Sequence, residues 1–172
     1  MQSNFEFLNS HFPVLANFGE LAEKYLYSDS NSCLMKLGMI GETIVNLCFT
    51  YDRLPLPQDN TAANRINSLF REGMITRDLK EVLHTLRISR NKTTHENYTS
   101  IEDGKTLIQM AYSLCEWFMQ TYGDWNYQNH PFVMPSETPE KFSSDKQSEK
   151  AQEAQLIEEA EKAAAAALVI EK

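Results

Sequence analysis

The stretch Arg87-Ile88-Ser89-Arg90-Asn91-Lys92-Thr93-Thr94-His95-Glu96-Asn97 runs off the end of a predicted amphipathic helix and anchors the interpretation of the fold. On a helix, Arg87, Asn91 and His95 follow one another at intervals of four and share one face, while Arg90 lies on a neighbouring stripe. Arginine offers phosphate oxygens a planar fork of donors, and histidine titrates near neutral pH. The stretch therefore suits contact with a phosphodiester, with histidine as a general acid or base.

A purely structural role fits the same residues. Cations near a helix C-terminus are favoured by the macrodipole and can bond the last free carbonyls, so Arg90, Lys92 and His95 could simply stabilise the helix end. The R-x4-H spacing is also short enough to match by chance. Residue type and spacing alone favour the structural role over catalysis.

The chain is acidic overall and basic in one segment. It has 172 residues, enough for one domain with an extension, and a formal net charge of -8, which speaks against general coating of nucleic acid. The basic segment contains Arg65, Arg71, Arg77, Lys80, Arg87, Arg90 and Lys92 against Glu72, Asp78 and Glu81. Such a segment is compatible with a small anionic site, although a mixed, solvated helix face is the commoner explanation.

Cysteine usage and the N-terminus indicate the compartment. Cys33, Cys48 and Cys115 are odd in number and lie in apolar helical patterns, which predicts buried thiols, a reducing environment and no zinc site. The first residues carry no signal-peptide pattern, and the longest apolar run, residues 163–170, is too short to cross a bilayer. The sequence predicts a cytoplasmic protein with no membrane partner and no metal site.

Apolar periodicity and capping residues predict an all-α fold, a bundle of about five helices followed by a long, mostly solvated C-terminal helix. The first helix begins at Pro13, the second follows the polar cluster 28–32, the third runs from Thr61 to Gly73, the fourth begins at Thr76, and the fifth runs from Ser100 to Gly123. The second helix is apolar nearly all round and is expected at the centre. On the fourth helix, Lys80, His84, Arg87 and Asn91 are expected to face outward.

The sequence pattern changes after residue 123. Residues 124–141 have no helical or strand period and suggest an ordered lead-out or linker, after which Ser143 or Ser144 can cap a last helix of strong helix formers. About 26 helical residues would extend roughly 39 Å, which is too long to fold entirely onto a small bundle. We therefore expect a bundle at 1–128, a linker at 129–143 and, at 144–172, an extended connector helix leading to domains absent from this sequence.

The residues from Leu86 to Tyr98, set before a final core helix, resemble the signature of the HEPN superfamily of helical domains. A narrower resemblance, covering about residues 1–128, is to the N-terminal domain of type I restriction endonuclease R subunits, and the tail from Asp145 is similar to their helical connector. The stretches that carry it are Asn4-Phe5-Glu6-Phe7-Leu8, Gly19 to Asp29, Asn31-Ser32-Cys33-Leu34 and Arg71-Glu72-Gly73.

These resemblances imply two versions of the motif. HEPN ribonucleases cut RNA without metal at a dimer interface, using the Arg and His of an R-x4-6-H motif. Arg90 and His95 satisfy that pattern, with Asn91 as the polar residue after the arginine. The R-subunit version resembles Leu-Arg-x-x-Gly-Asn-x-x-x-His, which places the regularly kept arginine at Arg87 and leaves Arg90 in place of a glycine.

The restriction resemblance implies an accessory module, not itself catalytic, of an ATP-dependent DNA translocase and endonuclease. Its partners would be the other restriction-modification subunits and DNA, and ATP and Mg would belong to the absent domains, because the chain has no Walker motif or nuclease carboxylate cluster. Binding would fall to Arg87, Asn91, Lys92, Lys80 and His84. No cofactor is expected in the chain itself.

Two other functions remain open. One is a self-contained, homodimeric HEPN ribonuclease of a toxin or phage-defence system, in which His95 moves the proton of a ribose 2'-hydroxyl and Arg90 or Arg87 holds the phosphate. The other is a partner-binding scaffold in which Arg90 and His95 are structural. Burial of the motif against Asn97 or Tyr98 would favour the scaffold.

Overall fold

The computed structural model describes residues 2–137 and 146–170, and within these ranges the chain forms α-helices and no strand. The helices are α1 (Pro13–Tyr25), α2 (Ser30–Tyr51), α3 (Ala62–Arg71), α4 (Arg77–Glu96), α5 (Ile101–Phe118) and α6 (Lys146–Ile170). A short 3-10 turn at Glu6–Leu8 precedes α1, and a π-helical turn at Met119–Gly123 follows α5. The predicted all-α architecture is confirmed. The proposed caps Ser143 and Ser144 lie outside the described residues, as do positions 138–143 of the predicted linker.

The helices begin where the sequence places their capping residues. The side chains of Thr61, Thr76 and Ser100 accept hydrogen bonds from the backbone N–H three residues later, at 3.1, 3.3 and 3.1 Å. Asp29 caps α2 in the same way, through the N–H of Ser32 at 3.2 Å. Each bond satisfies a donor that the first helical turn leaves free, so local chemistry fixes these starts.

Helix α2 lies at the centre of the bundle and packs against α1, α3, α4, α5 and α6. Its apolar side chains are almost all buried, as the sequence predicts for a helix without a polar face. It is long and apolar enough by composition to cross a bilayer, but 67% of its most apolar window is buried inside the bundle, as in a core helix. The three cysteines are buried free thiols, as expected, and burial raises the pKa of Cys33 and Cys48 to about 12.

The segment after the π-turn returns to the bundle. The hydroxyls of Tyr112 and Tyr27 donate to the carbonyls of His130 and Pro135, at 2.8 and 2.6 Å. The buried carboxylate of Glu116 accepts from the N–H of His130 at 3.0 Å. Residues 127–135 are therefore held against α5 and the turn between α1 and α2 by side chains that satisfy backbone groups.

Helix α6 is long and mostly exposed, but it does not run clear of the bundle; it lies against α1 and α2. The residues of its contact stripe recur at helical spacing, and all but Glu153, which pairs with Lys36, are apolar. They are Glu153, Leu156, Ile157, Ala160, Ala164 and Leu168. Ala164 is fully buried. Most of its other described side chains are exposed, so the helix does not fold entirely onto the bundle, as the sequence predicts. The role of residues 144–172 as a connector stays a prediction.

Candidate functional site

The end of α4, which carries the motif, is fixed to α2. Helix α4 stops at Glu96 because Asn97 adopts the left-handed conformation (φ 50°, ψ 41°), which asparagine tolerates better than most residues. The side-chain amide of Asn31, on α2, donates to the carbonyls of Thr93 and Tyr98, at 3.3 and 2.9 Å. The last turn of α4 thus keeps one orientation relative to the core.

A cleft of about 380 Å³ opens between α2, α3 and α4. Its floor is apolar or small and its rim carries three arginines. The lining residues are Gly38, Gly41, Glu42, Val45 and Asn46 from α2, Ala62, Arg65 and Ile66 from α3, and Leu83, Arg87, Arg90, Asn91 and Thr94 from α4. A pocket with an apolar floor and a few convergent polar groups is the usual form of a ligand site.

Arg90 is half-buried in this cleft and forms an ion pair with Glu42 of α2. The exposed fractions of the two side chains are 32% and 49%. The stem of Arg90 lies on Gly38, where an added Cβ would come within 2.4 Å of the Arg90 Cβ. Burial lowers the pKa of Arg90 from its usual value, because the charged guanidinium is partly removed from water. The glycine is what allows the arginine to lie over α2.

Arg87 is held by a chain of hydrogen bonds from α3. Its Nε–H donates to Nδ1 of His84 at 3.3 Å, and Nε2 of His84 lies 2.8 Å from the amide oxygen of Asn67. Because Nδ1 accepts, Nε2 carries the proton and donates to Asn67. Burial, and then the charges of Arg87 and Lys80, lower the pKa of His84. His84 is therefore a neutral imidazole that orients Arg87.

Arg65 supplies the third guanidinium, from α3. Its Nη1 donates to the side-chain oxygen of Asn46 at 2.6 Å, and its Nε donates to that of Asn60 at 2.7 Å. Both partners are neutral amides, so they position the guanidinium without cancelling its charge. The cleft consequently brings together cations from two helices around a single carboxylate, Glu42, among its lining residues.

The structure divides the predicted site residues into three groups. Arg87, Arg90 and Asn91 line the cleft. Lys80 and His84 lie beside it on the outer face of α4, with the Lys80 ammonium 4.6 Å from the Phe70 ring centroid. The third group is Lys92 and His95, both exposed outside the cleft, with the Lys92 ammonium 5.5 Å from the Tyr98 ring centroid.

The arginine and histidine of the R-x4-H pattern are thus not brought to one cleft within a single chain. His95 makes no hydrogen bond or ion pair among the residues that the structure describes, and its neighbour Thr94 is the last lining residue of α4. The Arg90 side chain is directed to α2 instead. Their assignment as a catalytic pair stays a prediction.

Glu42, Asn46 and Arg65 are site residues that the sequence interpretation missed. Arg65 opens the basic segment, but its distance from the motif concealed the contact. Glu42 is a lone carboxylate inside the most apolar helix, next to two glycines, and an isolated charge in such a place is a signal of a specific partner. No group of three or more potential metal ligands occurs among the described residues.

The fold and the site together define the class of protein: an all-helical bundle with an arginine-rimmed cleft. The chain belongs to the family described as a domain of unknown function, DUF4145, whose pattern matches residues 20–155. It is also similar to the type I restriction enzyme EcoKI endonuclease subunit of Escherichia coli strain K12, with 24% identity over 135 residues. The match covers 78% of this chain and 11% of that protein. No solved structure matches the chain.

Proposed function

We propose that this chain is an accessory, non-catalytic module of a type I restriction R subunit, in which the arginine-rimmed cleft places nucleic acid or a partner subunit. The observation that carries the proposal is the similarity over 78% of the chain to a type I restriction endonuclease subunit. The match occupies 11% of that protein, as a module attached to a much larger enzyme would.

The residues of the cleft are better suited to binding a ligand than to catalysing a reaction. Three guanidinium groups line it, and the imidazole that a metal-independent ribonuclease would use lies outside it. Arginine forks recognise phosphate and carboxylate oxygens, whereas proton transfer requires an acid–base group within hydrogen-bond reach of the reacting atom. The likeness to HEPN domains rests on the Arg90–His95 spacing and stays a prediction.

In this proposal, the module works in the cytoplasm with the other restriction-modification subunits and DNA. ATP and Mg act in the motor and nuclease domains of the parent, not in this chain. Helix α6, which holds the contact between Glu153 and Lys36 of α2, would connect the module to those domains in a fixed orientation.

The test is the coding sequence beyond Lys172 together with the protein made from it. We expect one polypeptide that continues into a nuclease and a motor and that co-purifies with modification and specificity subunits. We also expect no ATP hydrolysis by the 172-residue chain alone. A reading frame that continues into unrelated domains, or ATP turnover by the isolated chain, would overturn the proposal.

A further inference from the structure

Residues 127–135, which we call the strap, are held by the bundle as a bound peptide would be. After the turn bond of Tyr127, the strap makes no hydrogen bond between backbone groups among the residues that the structure describes. Its backbone is bonded by side chains instead. The amide of Asn4 donates to the carbonyl of Val133 at 2.7 Å and accepts from its N–H at 2.9 Å. Three further side chains of the bundle bond its backbone at positions 130 and 135: Tyr27, Tyr112 and Glu116.

The side chains of the strap alternate between the bundle and the solvent. Phe132 and Met134 are half-buried and pack against the core, whereas Pro131 and Val133 are exposed. The ring centroid of Phe132 lies 5.3 Å from that of Tyr112. Main-chain bonds combined with contacts at alternate side chains are the way in which proteins recognise peptides. This groove therefore has the features of a receptor for the strap, whichever copy of the chain supplies it.

The turn that leads into the strap is held by bonds between neighbouring residues. The N–H of Tyr127 donates to the carbonyl of Asp124 at 3.0 Å, and the N–H of Asn126 donates to the side chain of Asp124 at 2.9 Å. The groove side chains all lie before this turn in the chain. When the turn opens, the strap of one copy can enter the identical groove of a second copy. The exchange forms the same bonds again, so its cost is chiefly that of association.

Trp125 occupies the turn and is the most exposed large apolar side chain that the structure describes, with 82% of its surface accessible. Nothing within the single chain accounts for an aromatic ring presented to water on a hydrogen-bonded turn. In a reciprocal exchange the two opened turns cross beside the two-fold axis, so the two Trp125 side chains come together there. Tryptophan is the residue type most enriched at the centres of interfaces.

We propose that two copies of this chain exchange their straps, each strap filling the groove of the other copy, with Trp125 buried where the two turns cross. Each copy then contributes residues 127 onward, α6 included, to the bundle of its partner. Neither the groove nor Trp125 belongs to the arginine-rimmed cleft, so the exchange is independent of the proposed function.

The experiment asks which copy supplies the strap. The 172-residue chain labelled with ¹³C in its phenylalanines is mixed with unlabelled chain, and the two are unfolded and refolded together at high concentration. Sedimentation or gel filtration separates dimer from monomer. Isotope-filtered NOE spectra then detect contacts between a labelled and an unlabelled copy.

In the dimer we expect an NOE from labelled Phe132 to unlabelled Tyr112. Phe7 is the matched control, because it contacts the same Tyr112 ring, at 5.8 Å between centroids, from within the bundle. Its contact should arise inside one copy only and give no NOE between copies. The monomer should give neither NOE between copies. The dimer fraction should grow with concentration from micromolar to millimolar, because the strap competes with its own tethered copy.

A second measurement tests the turn contact. Trp125→Ser should lower the dimer association constant by about tenfold or more, as loss of a central interface aromatic predicts. Leu56→Ser, at another exposed apolar position with 58% of its surface accessible, should leave the constant unchanged. Circular dichroism verifies that both variants are folded.

A chain that stays monomeric at every concentration would overturn the exchange. A dimer that gives no Phe132–Tyr112 NOE between copies would also overturn it, because the strap would then remain on its own bundle. Equal association constants for Trp125→Ser and Leu56→Ser would overturn the role of Trp125.

Discussion

At the scale of single residues, the contact between Gly38 and Arg90 determines the geometry of the cleft. Arg90 can lie across α2 only because position 38 has no side chain, since an added Cβ would come within 2.4 Å of the Arg90 Cβ. At Gly41, by contrast, the nearest atom to an added Cβ is Leu86 Cδ1 at 3.4 Å, an ordinary contact. The packing therefore requires glycine at position 38, whereas at position 41 it leaves room for a methyl group.

The first prediction compares alanine at these two positions. Gly38→Ala should destabilise the fold by about 1 to 3 kcal/mol, because α4 must shift to admit the methyl group. Gly41→Ala, the matched control, should be neutral or stabilise by up to about 1 kcal/mol through helix propensity. Urea unfolding followed by circular dichroism measures both, and equal effects at the two positions would contradict the packing described.

The second prediction concerns the titration of His84. Burial, and after it the charges of Arg87 and Lys80, lower its pKa in the folded chain. Its imidazole resonances should therefore titrate with a midpoint below the ordinary value of about 6.5. The folded state then binds a proton less readily than the unfolded state. The contribution of His84 to the free energy of unfolding therefore decreases as pH falls through that value, and it does not decrease as pH rises.

Following the imidazole resonances by NMR in variants should also separate the effect of the Arg87 charge on the pKa of His84 from the other causes. Arg87→Gln removes a cation and the donor to Nδ1, so it should raise the His84 midpoint. Arg71→Gln, an exposed position at the end of α3, is the charge-matched control and should move the midpoint less. A midpoint at or above 6.5 in the wild-type chain would contradict the neutral, orienting role of His84.

At the scale of elements, α6 is held to the bundle by a narrow stripe that contains one buried ion pair. The exposed fractions of the Lys36 and Glu153 side chains are 12% and 7%. Farther along, Arg53 donates to the carbonyl of Leu168 at 2.9 Å. A buried pair contributes little net stability, but it fixes the register of the helix, because either charge without the other is costly.

The third prediction tests that register. Glu153→Leu alone should speed hydrogen exchange in α6, because Lys36 would stay buried without its partner. The free energy that holds α6 to the bundle should fall by an amount on the order of 3 kcal/mol. The double variant Lys36→Met with Glu153→Leu should recover most of the protection. Glu158→Gln breaks an exposed pair with Lys162 on the same helix and serves as the control, with an effect below about 0.5 kcal/mol.

Helix starts could be predicted from the sequence because their causes are local. Thr61, Thr76 and Ser100 cap their helices through bonds to residues three positions away, and such spacing is visible without a structure. The docking of α6 could not be predicted in this way. Its stripe contains two alanines and a charged residue, so the apolar periodicity is too weak to indicate a buried face.

At the scale of the whole molecule, the cleft is a product of tertiary packing. The sequence indicated Arg87, Arg90 and Asn91 as site residues because they are close together on α4. Glu42 and Arg65 could not be indicated in this way because they come from α2 and α3. Nothing in the local pattern indicates which helices face α4. Spacing alone also grouped His95 with Arg87 and Asn91, whereas the cleft ends at Thr94.

This arrangement supports the proposal that the cleft binds a ligand and does not catalyse. A single assay tests it: labelled single-stranded RNA is incubated with the chain in EDTA, and both retention and strand length are followed. The variants are Arg90→Gln and His95→Ala, of which the second changes a residue exposed outside the cleft.

We predict that the RNA stays intact, that Arg90→Gln reduces its retention, and that His95→Ala changes neither retention nor length. Cleavage of the RNA by the wild-type chain, lost in His95→Ala, would contradict the account and establish the metal-independent ribonuclease instead.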